Sequence, residues 1–240
     1  MIYNIKSLID NRIQAIDGEI GELDDIYFDD ISWVVRYLVV ETGNWLEGRK
    51  VLLSPVVIKK PNVSDKFVVV SLTKDQIIYS PEIDTKKPVS RQHESNLPNQ
   101  WPIYGLIPLA SPYILNEETI QNKTDPMNSS NDPHLRSADE VMEYEISALD
   151  GDIGYVEDMI IDEDTWSILF LVVKTKNWLP GKKVLISPKN INYISWEDDK
   201  VYVDMTVDSI KNNPEYDSSK PIHQQYAEEL NHFFGQTINR

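Results

Sequence analysis

Two clusters of residues in this chain have types that could do chemistry, and each cluster occurs twice. The first is acidic: Asp24, Asp25, Asp29 and Asp30, then Glu157, Asp158, Asp162, Glu163 and Asp164. Grouped carboxylates suit the hard cations Ca²⁺ and Mg²⁺, which take oxygen ligands. The spacing is not that of an EF-hand loop, however, and no glycine makes the sharp turn such a loop needs. The competing reading is a solvated hairpin between strands. The second cluster is the loop Asn44-Trp45-Leu46-Glu47-Gly48-Arg49-Lys50, which returns as Asn177-Trp178-Leu179-Pro180-Gly181-Lys182-Lys183. An exposed Trp beside two cations would make a small-ligand or partner contact, since Trp and Arg are frequent interface anchors. The competing reading is a folded turn whose Trp packs on its own domain, with Asn and Gly supplying the turn geometry. The candidate partner-binding residues are therefore Asn44, Trp45, Arg49, Lys50, Asn177, Trp178, Lys182 and Lys183.

Other reactive combinations are missing from the sequence. The histidines are His93, His134, His223 and His232, and none stands at a metal-binding spacing; the reading is surface histidines. There is no Gly-x-Ser-x-Gly, no phosphate loop and no dinucleotide fingerprint. Gly18-x-x-Gly21 and Gly151-x-x-Gly154 are too short to cradle phosphate, and Asp17 and Asp150 belong to turns. There is no Cys, which excludes disulfides, zinc fingers and thiol catalysis. The expectation is a protein with no catalytic residue, no cofactor and no resident metal: not an enzyme.

The elements that carry these clusters form an internal repeat. Residues 17–55 and 150–188 align without a gap at an offset of 133, with about half the positions identical. Asp17-Gly18 and Asp150-Gly151 read as hairpin turns. Trp33–Val40 reads as a strand by its β-branched and aromatic content, with Trp166–Val173 as its counterpart. Trp33, Val35, Tyr37 and Val39 share one face; Val34, Leu38 and Val40 share the other, with Arg36 among them. A strand apolar on both faces is covered on both sides. One side would be a barrel interior; the other must meet a helix, the sister repeat or another subunit. Strands follow at Lys50–Ser54 and Phe67–Val70, and at Lys183–Ser187 and Val201–Met205. Thr73 and Gln76 make a capping box for a helix ending near Ser80, and Thr206–Asn213 repeats that plan. Ser7–Asp10 suggests an earlier helical turn. The repeat also reaches the tails, where Asp84–Pro88 matches Asp217–Pro221. Pro221 opens a helix to Phe234 with an apolar stripe of Ile222, Tyr226, Leu230 and Phe233.

A chain of 240 residues suits two domains. The reading places a first domain with its tail at 1–97, a linker at 98–135 that is mobile from 121, and a second domain with a C-terminal helix at 136–240. Trp101, Ile103, Tyr104 and Leu106 should dock before the mobile part. The formal net charge of −16 splits as −3 over 1–81, −3 over 82–135 and −10 over 136–240. Such a chain repels phosphate backbones and anionic membrane surfaces. No run of about 18 apolar residues could span a membrane. The N-terminus, MIYNIKSLIDNR, has no basic start followed by an apolar core, so a cytoplasmic protein is expected.

Asp-Gly-x-Ile-Gly-x-(Val/Leu)-(Asp/Glu)-Asp, a Trp-led strand, then Asn-Trp-Leu-x-Gly-(Arg/Lys)-Lys-Val-Leu-(Leu/Ile)-Ser-Pro resembles the PRC-barrel family. The second copy matches further, through Asn192–Trp196, Val201–Asp204 and Pro214–Tyr216. The family is similar to the cytoplasmic barrel of the photosynthetic reaction-centre H subunit and to the C-terminal barrel of a ribosome-maturation factor. The resemblance implies a mainly β fold: two small barrels of about five or six strands each, with short helices after the last strand, packed as a pseudo-two-fold pair. It also implies binding to other proteins without bond chemistry. A scaffold or protein-binding module is the leading expectation, with a homo-oligomer open. The alternative is a small-ligand or divalent-cation protein with a pocket between the barrels. A role accessory to photosynthetic electron transfer would rest on the family likeness alone.

Overall fold

A computed structural model describes residues 1–59, 66–80, 134–176, 181–213 and 215–217. The expected helix from Pro221, the Asp84–Pro88 match and nearly all of the 98–135 linker lie outside the described residues. The contacts divide the chain into two units. One is built on the first repeat and holds the described residues of Ile5–Glu140 with Glu163–Ser167; the other is built on the second and holds Met1–Asn4, Val141–Asp162 and the described residues from Ile168 on. Neither unit is a contiguous stretch: Met1–Asn4 joins the second-repeat unit, and Glu163–Ser167 joins the first.

The reason lies in two short strands. Strand β1 (Ile2–Asn4) runs into the one-turn helix α1 (Ile5–Leu8), a little earlier than the Ser7–Asp10 turn the sequence suggests. In the first-repeat unit, β2 (Arg12–Ala15) turns at Ile16-Asp17 into the long β3 (Gly18–Asp29). Then come β4 (Val34–Glu41), β5 (Lys50–Leu53) and β6 (Phe67–Val69). The sheet order is β5-β4-β3-β2-β6, with β2 and β6 parallel. Strand β7 (Leu135–Ser137) lies antiparallel on the last residues of β3.

The second-repeat unit repeats this plan. The one-turn helix α3 (Ala138–Val141) precedes β8 (Glu145–Ala148), β9 (Gly151–Asp162), β10 (Ile168–Thr175) and β11 (Lys183–Ile186). β12 (Ile191–Ser195) and β13 (Lys200–Val203) complete it, in the order β11-β10-β9-β8-β13-β12. Here the strand on the end of β9 is β1, with Ile2 opposite Asp162 and Asn4 opposite Ile160. Each long strand thus has two partners along one side. β9 pairs β8 over its first half and β1 over its last; β3 pairs β2 and then β7. Register shifts at Leu23/Asp25 and Tyr27/Phe28 mark bulges that bend β3 between the two. At offset 133, β7 is the sequence counterpart of β1. Each repeat's opening strand therefore completes the unit of the other repeat.

The exchanged strands add their own apolar side chains to the second buried face of the apolar strands. In the first-repeat unit Tyr27, Tyr37, Val39 and Leu52 pack with Leu135 of β7. In the second, Ile160, Phe170, Val172 and Leu185 pack with Tyr216, and Ile2 of β1 and Leu169 lie against them. On the inner face of the first unit Ile13, Ile20, Leu23, Ile26, Leu38 and Val40 are buried. Burying such a side chain stabilises by roughly 1.5–3 kcal/mol.

Trp33 and Trp166 do not open their strands as the sequence suggests. Both take left-handed backbone, φ 56 and 55, at the end of the tight turn before β4 and β10. Each indole is nonetheless 8% exposed, and Trp33 stacks on Phe28 with centroids 5.5 Å apart. Burial of a large ring offsets a backbone cost of about 1 kcal/mol. The remaining strands and helices fall close to expectation, with β13 one residue early and ending at Val203. α2 (Lys74–Ile78) has the capping box of Thr73 and Gln76, and α4 (Val207–Lys211) has Thr206 as its cap.

Candidate functional site

The loop residues singled out by type are engaged inside their own units. The Trp45 indole N–H donates to the Ile20 carbonyl, and Lys74 lies over its ring at 5.5 Å. The Arg49 guanidinium donates to the carbonyls of Ile78 (3.3 Å) and Ser80 (2.6 Å), tying down the end of α2. Its counterpart Lys182 donates to Lys211 and Asn213 at 3.4 and 3.3 Å, at the end of α4. Cations placed there satisfy carbonyls that a helix leaves without partners. Lys50 pairs with Asp24 at 2.7 Å, and Lys183 with Glu157 at 3.0 Å. Asn44 is exposed. Asn177 and Trp178 lie outside the described residues.

The acidic clusters are not solvated hairpins, because β3 and β9 run on through them. Asp25 and Asp158 are 6% and 8% exposed. Asp25 Oδ2 accepts from the Ser137 hydroxyl at 2.5 Å; Oδ1 accepts from the backbone of Asp139 (3.0 Å) and of Ile26 (2.7 Å). Ser137 Oγ in turn accepts from the Glu140 N–H at 3.0 Å. Asp158 accepts from the Asn4 side-chain amide at 2.9 Å and from the Met159 N–H at 2.8 Å. Asn4 also accepts from the Tyr216 hydroxyl at 3.2 Å. Asn4 and Ser137 are equivalent by the offset, as are Asp158 and Asp25. One buried carboxylate in each unit thus holds the strand that arrives from the other end of the sequence. Burial pushes the Asp25 carboxyl up to about 7 against the downward pull of its three donors. Burial likewise raises the Tyr27 phenol, with the charge of Asp25 adding to it.

The outer carboxylates also have protein donors. Asp29 accepts from Ser32 and from the Ile31 N–H, and meets Arg36 at 3.5 Å. Asp30 meets Arg136 at 2.5 Å and His134 at 2.9 Å, which brings His134 from the expected linker onto the first-repeat unit. Among the described residues no group of three or more His, Cys, Asp or Glu is placed to hold a metal ion.

Sequence reasoning missed a set of exposed apolar residues that distinguishes the two repeats. Tyr79 is 81% exposed, Ile31 69%, Val56 53% and Ile78 38%. At offset 133 these positions hold Asn212, Asp164, Lys189 and Lys211. The signal was available in the alignment of the repeats, as apolar residues facing polar ones. Two of them, Ile78 and Tyr79, adjoin the loop of Trp45 and Arg49, because Arg49 grips the carbonyls on either side of Tyr79.

The PRC-barrel domain matches two segments, residues 1–77 and 144–210. No curated protein matches the chain. No described helix is long and apolar enough to cross a membrane. With the matched segments covering more than half of the chain, and a β unit on each repeat, the protein belongs to the PRC-barrel family.

Proposed function

We propose that the protein is a cytoplasmic, non-enzymatic protein-binding or scaffold module, and that its docking surface lies on the first-repeat unit. The observation that carries this reading is the contrast between the repeats. Ile31, Val56, Ile78 and Tyr79 are exposed where the second repeat places charged or polar residues. Ile78 and Tyr79 are adjacent in the chain beside Trp45 and Arg49; exposed apolar patches mark interaction sites, and Tyr, Trp and Arg are the side chains that anchor them. Tyr79, Trp45 and Arg49 supply all three types in one neighbourhood. The charged groups described above serve caps, ion pairs and strand anchors, so their roles are accounted for within the fold.

The sister repeat supplies the substitutions for the test. Ile78→Lys with Tyr79→Asn copies Lys211 and Asn212 onto the first unit. Affinity capture from native cells should recover partner proteins with the natural chain and lose them with this variant, at an unchanged melting temperature. Recovery of the same proteins by both forms, or of a bound metabolite in place of a protein, would overturn the reading.

A further inference from the structure

The edge of each long strand beyond its hairpin partner is a slot for three residues of extended chain. On β9 the slot is Ile160–Asp162 and its occupant is β1; on β3 it is Tyr27–Asp29 and its occupant is β7. Neither slot is filled by the segment that continues locally into its own hairpin. Both receive a strand from the other repeat, and both fix it with the same device, a buried aspartate bonded to the side chain of the strand's last residue. What a slot recognises is therefore the strand, through ladder bonds, Asn4 or Ser137, and an apolar side chain at Ile2 or Leu135. A second copy of the chain presents the identical strand. Residues 81–133, 53 in number, connect the repeats. A chain of that length reaches at most about 170–190 Å, so nothing in the covalent path forces the donor and acceptor to be the same molecule. Choice of donor then falls to effective concentration, which for a tethered segment is in the millimolar range.

We propose that a second copy of this chain is a partner of these slots, giving a strand-exchanged dimer in which β1 of each copy lies on β9 of the other and β7 on β3. The contacts within every slot are those of the single chain. The monomer dominates in dilute solution, and the dimer forms when chains fold together at high concentration. Once formed it persists, since two slots per chain must empty before it reverts. The proposal does not depend on the docking surface of the first-repeat unit.

The absence of cysteine makes the test clean. Ile2 and Asp162 are opposite each other in the ladder and both half-buried, within reach of a disulfide. Full chains carrying Ile2→Cys alone and Asp162→Cys alone would be mixed, unfolded in urea, refolded together at about 1 mM and oxidised. A covalent heterodimer of about twice 27.7 kDa is expected, falling severalfold on tenfold dilution before refolding. The double variant in one chain should close internally at low concentration. No heterodimer, with the double variant closing, would overturn the proposal. Failure of both would overturn it too, by removing β1 from β9. So would equal cross-linking of Ile2→Cys to a chain bearing Asp75→Cys, an exposed site away from the slot.

Discussion

Asp25 contributes to stability with the opposite sign from most carboxylates. Its carboxyl lies near 7 in the folded unit because burial outweighs the hydrogen bonds from Ser137, Asp139 and Ile26, against an ordinary value of 3.8. A folded value above the unfolded one means that the folded protein holds the proton more tightly. Its contribution is fully present below about 4 and is lost as pH rises to about 7. The ceiling is on the order of 4 kcal/mol. Other carboxylates act in the other direction, so the comparison must be with Asp25→Asn, which cannot titrate. In urea unfolding, that variant should gain on the natural chain between pH 5 and pH 8; a constant difference would contradict the assignment. Gly21 and Gly154 make the second residue-scale prediction. A Cβ on either would lie 1.9 Å from a backbone oxygen, of Glu41 or Lys174, at the end of an antiparallel ladder. Gly21→Ala and Gly154→Ala should each cost more than about 2 kcal/mol of unfolding free energy, well beyond an ordinary surface change. The glycines were visible in the sequence as part of the repeat. The close backbone approach that demands them was not, because it joins residues about 20 apart.

At the scale of elements, what was legible and what was not divide by locality. Hairpins at Asp17 and Asp150, the capping box of Thr73 and the alternating strands depend on neighbours a few residues away, and they fell close to where the pattern put them. The Asp17 and Asp150 carboxylates go further, accepting from Lys74 and Val207 at the first residues of α2 and α4. β1 and β7 left no readable mark, since three residues carry no period and their partners lie far along the chain. Asp25 misled for the same reason: its burial is made by a strand 112 residues later. The Trp33 position misled because its left-handed turn is favourable only once the ring is buried. Arg49 and Lys182 give a prediction here. Each caps a short helix, so Arg49→Ala and Lys182→Ala should lower stability by about 1 kcal/mol. Arg49→Lys should recover most of the loss, because the second repeat already uses Lys. Equal losses for Arg49→Ala and Arg49→Lys would argue that the guanidinium fork does something other than capping.

At the scale of the molecule, duplication has produced two units with one plan and two different surfaces. The second repeat carries most of the negative charge, −10 over residues 136–240 against −3 over 1–81. The first alone exposes apolar residues at Ile31, Val56, Ile78 and Tyr79, where the second has charged or polar ones. Divergence of that kind leaves the shared anchors in place, with Asp25 and Asp158, Arg49 and Lys182, Lys50 and Lys183 filling matched roles. The central claim is that each repeat's opening strand completes the unit of the other. Hydrogen exchange tests it most directly, since an N-terminal three-residue segment has no protection unless it is paired. In the natural chain, the amides of Ile2–Asn4 and Leu135–Ser137 that face β9 and β3 should exchange about a hundredfold or more slower than open peptide. Asp158→Ala should speed the first group and leave Arg12–Ala15 unchanged. Open-peptide exchange at Ile2–Asn4 in the natural chain would contradict the account.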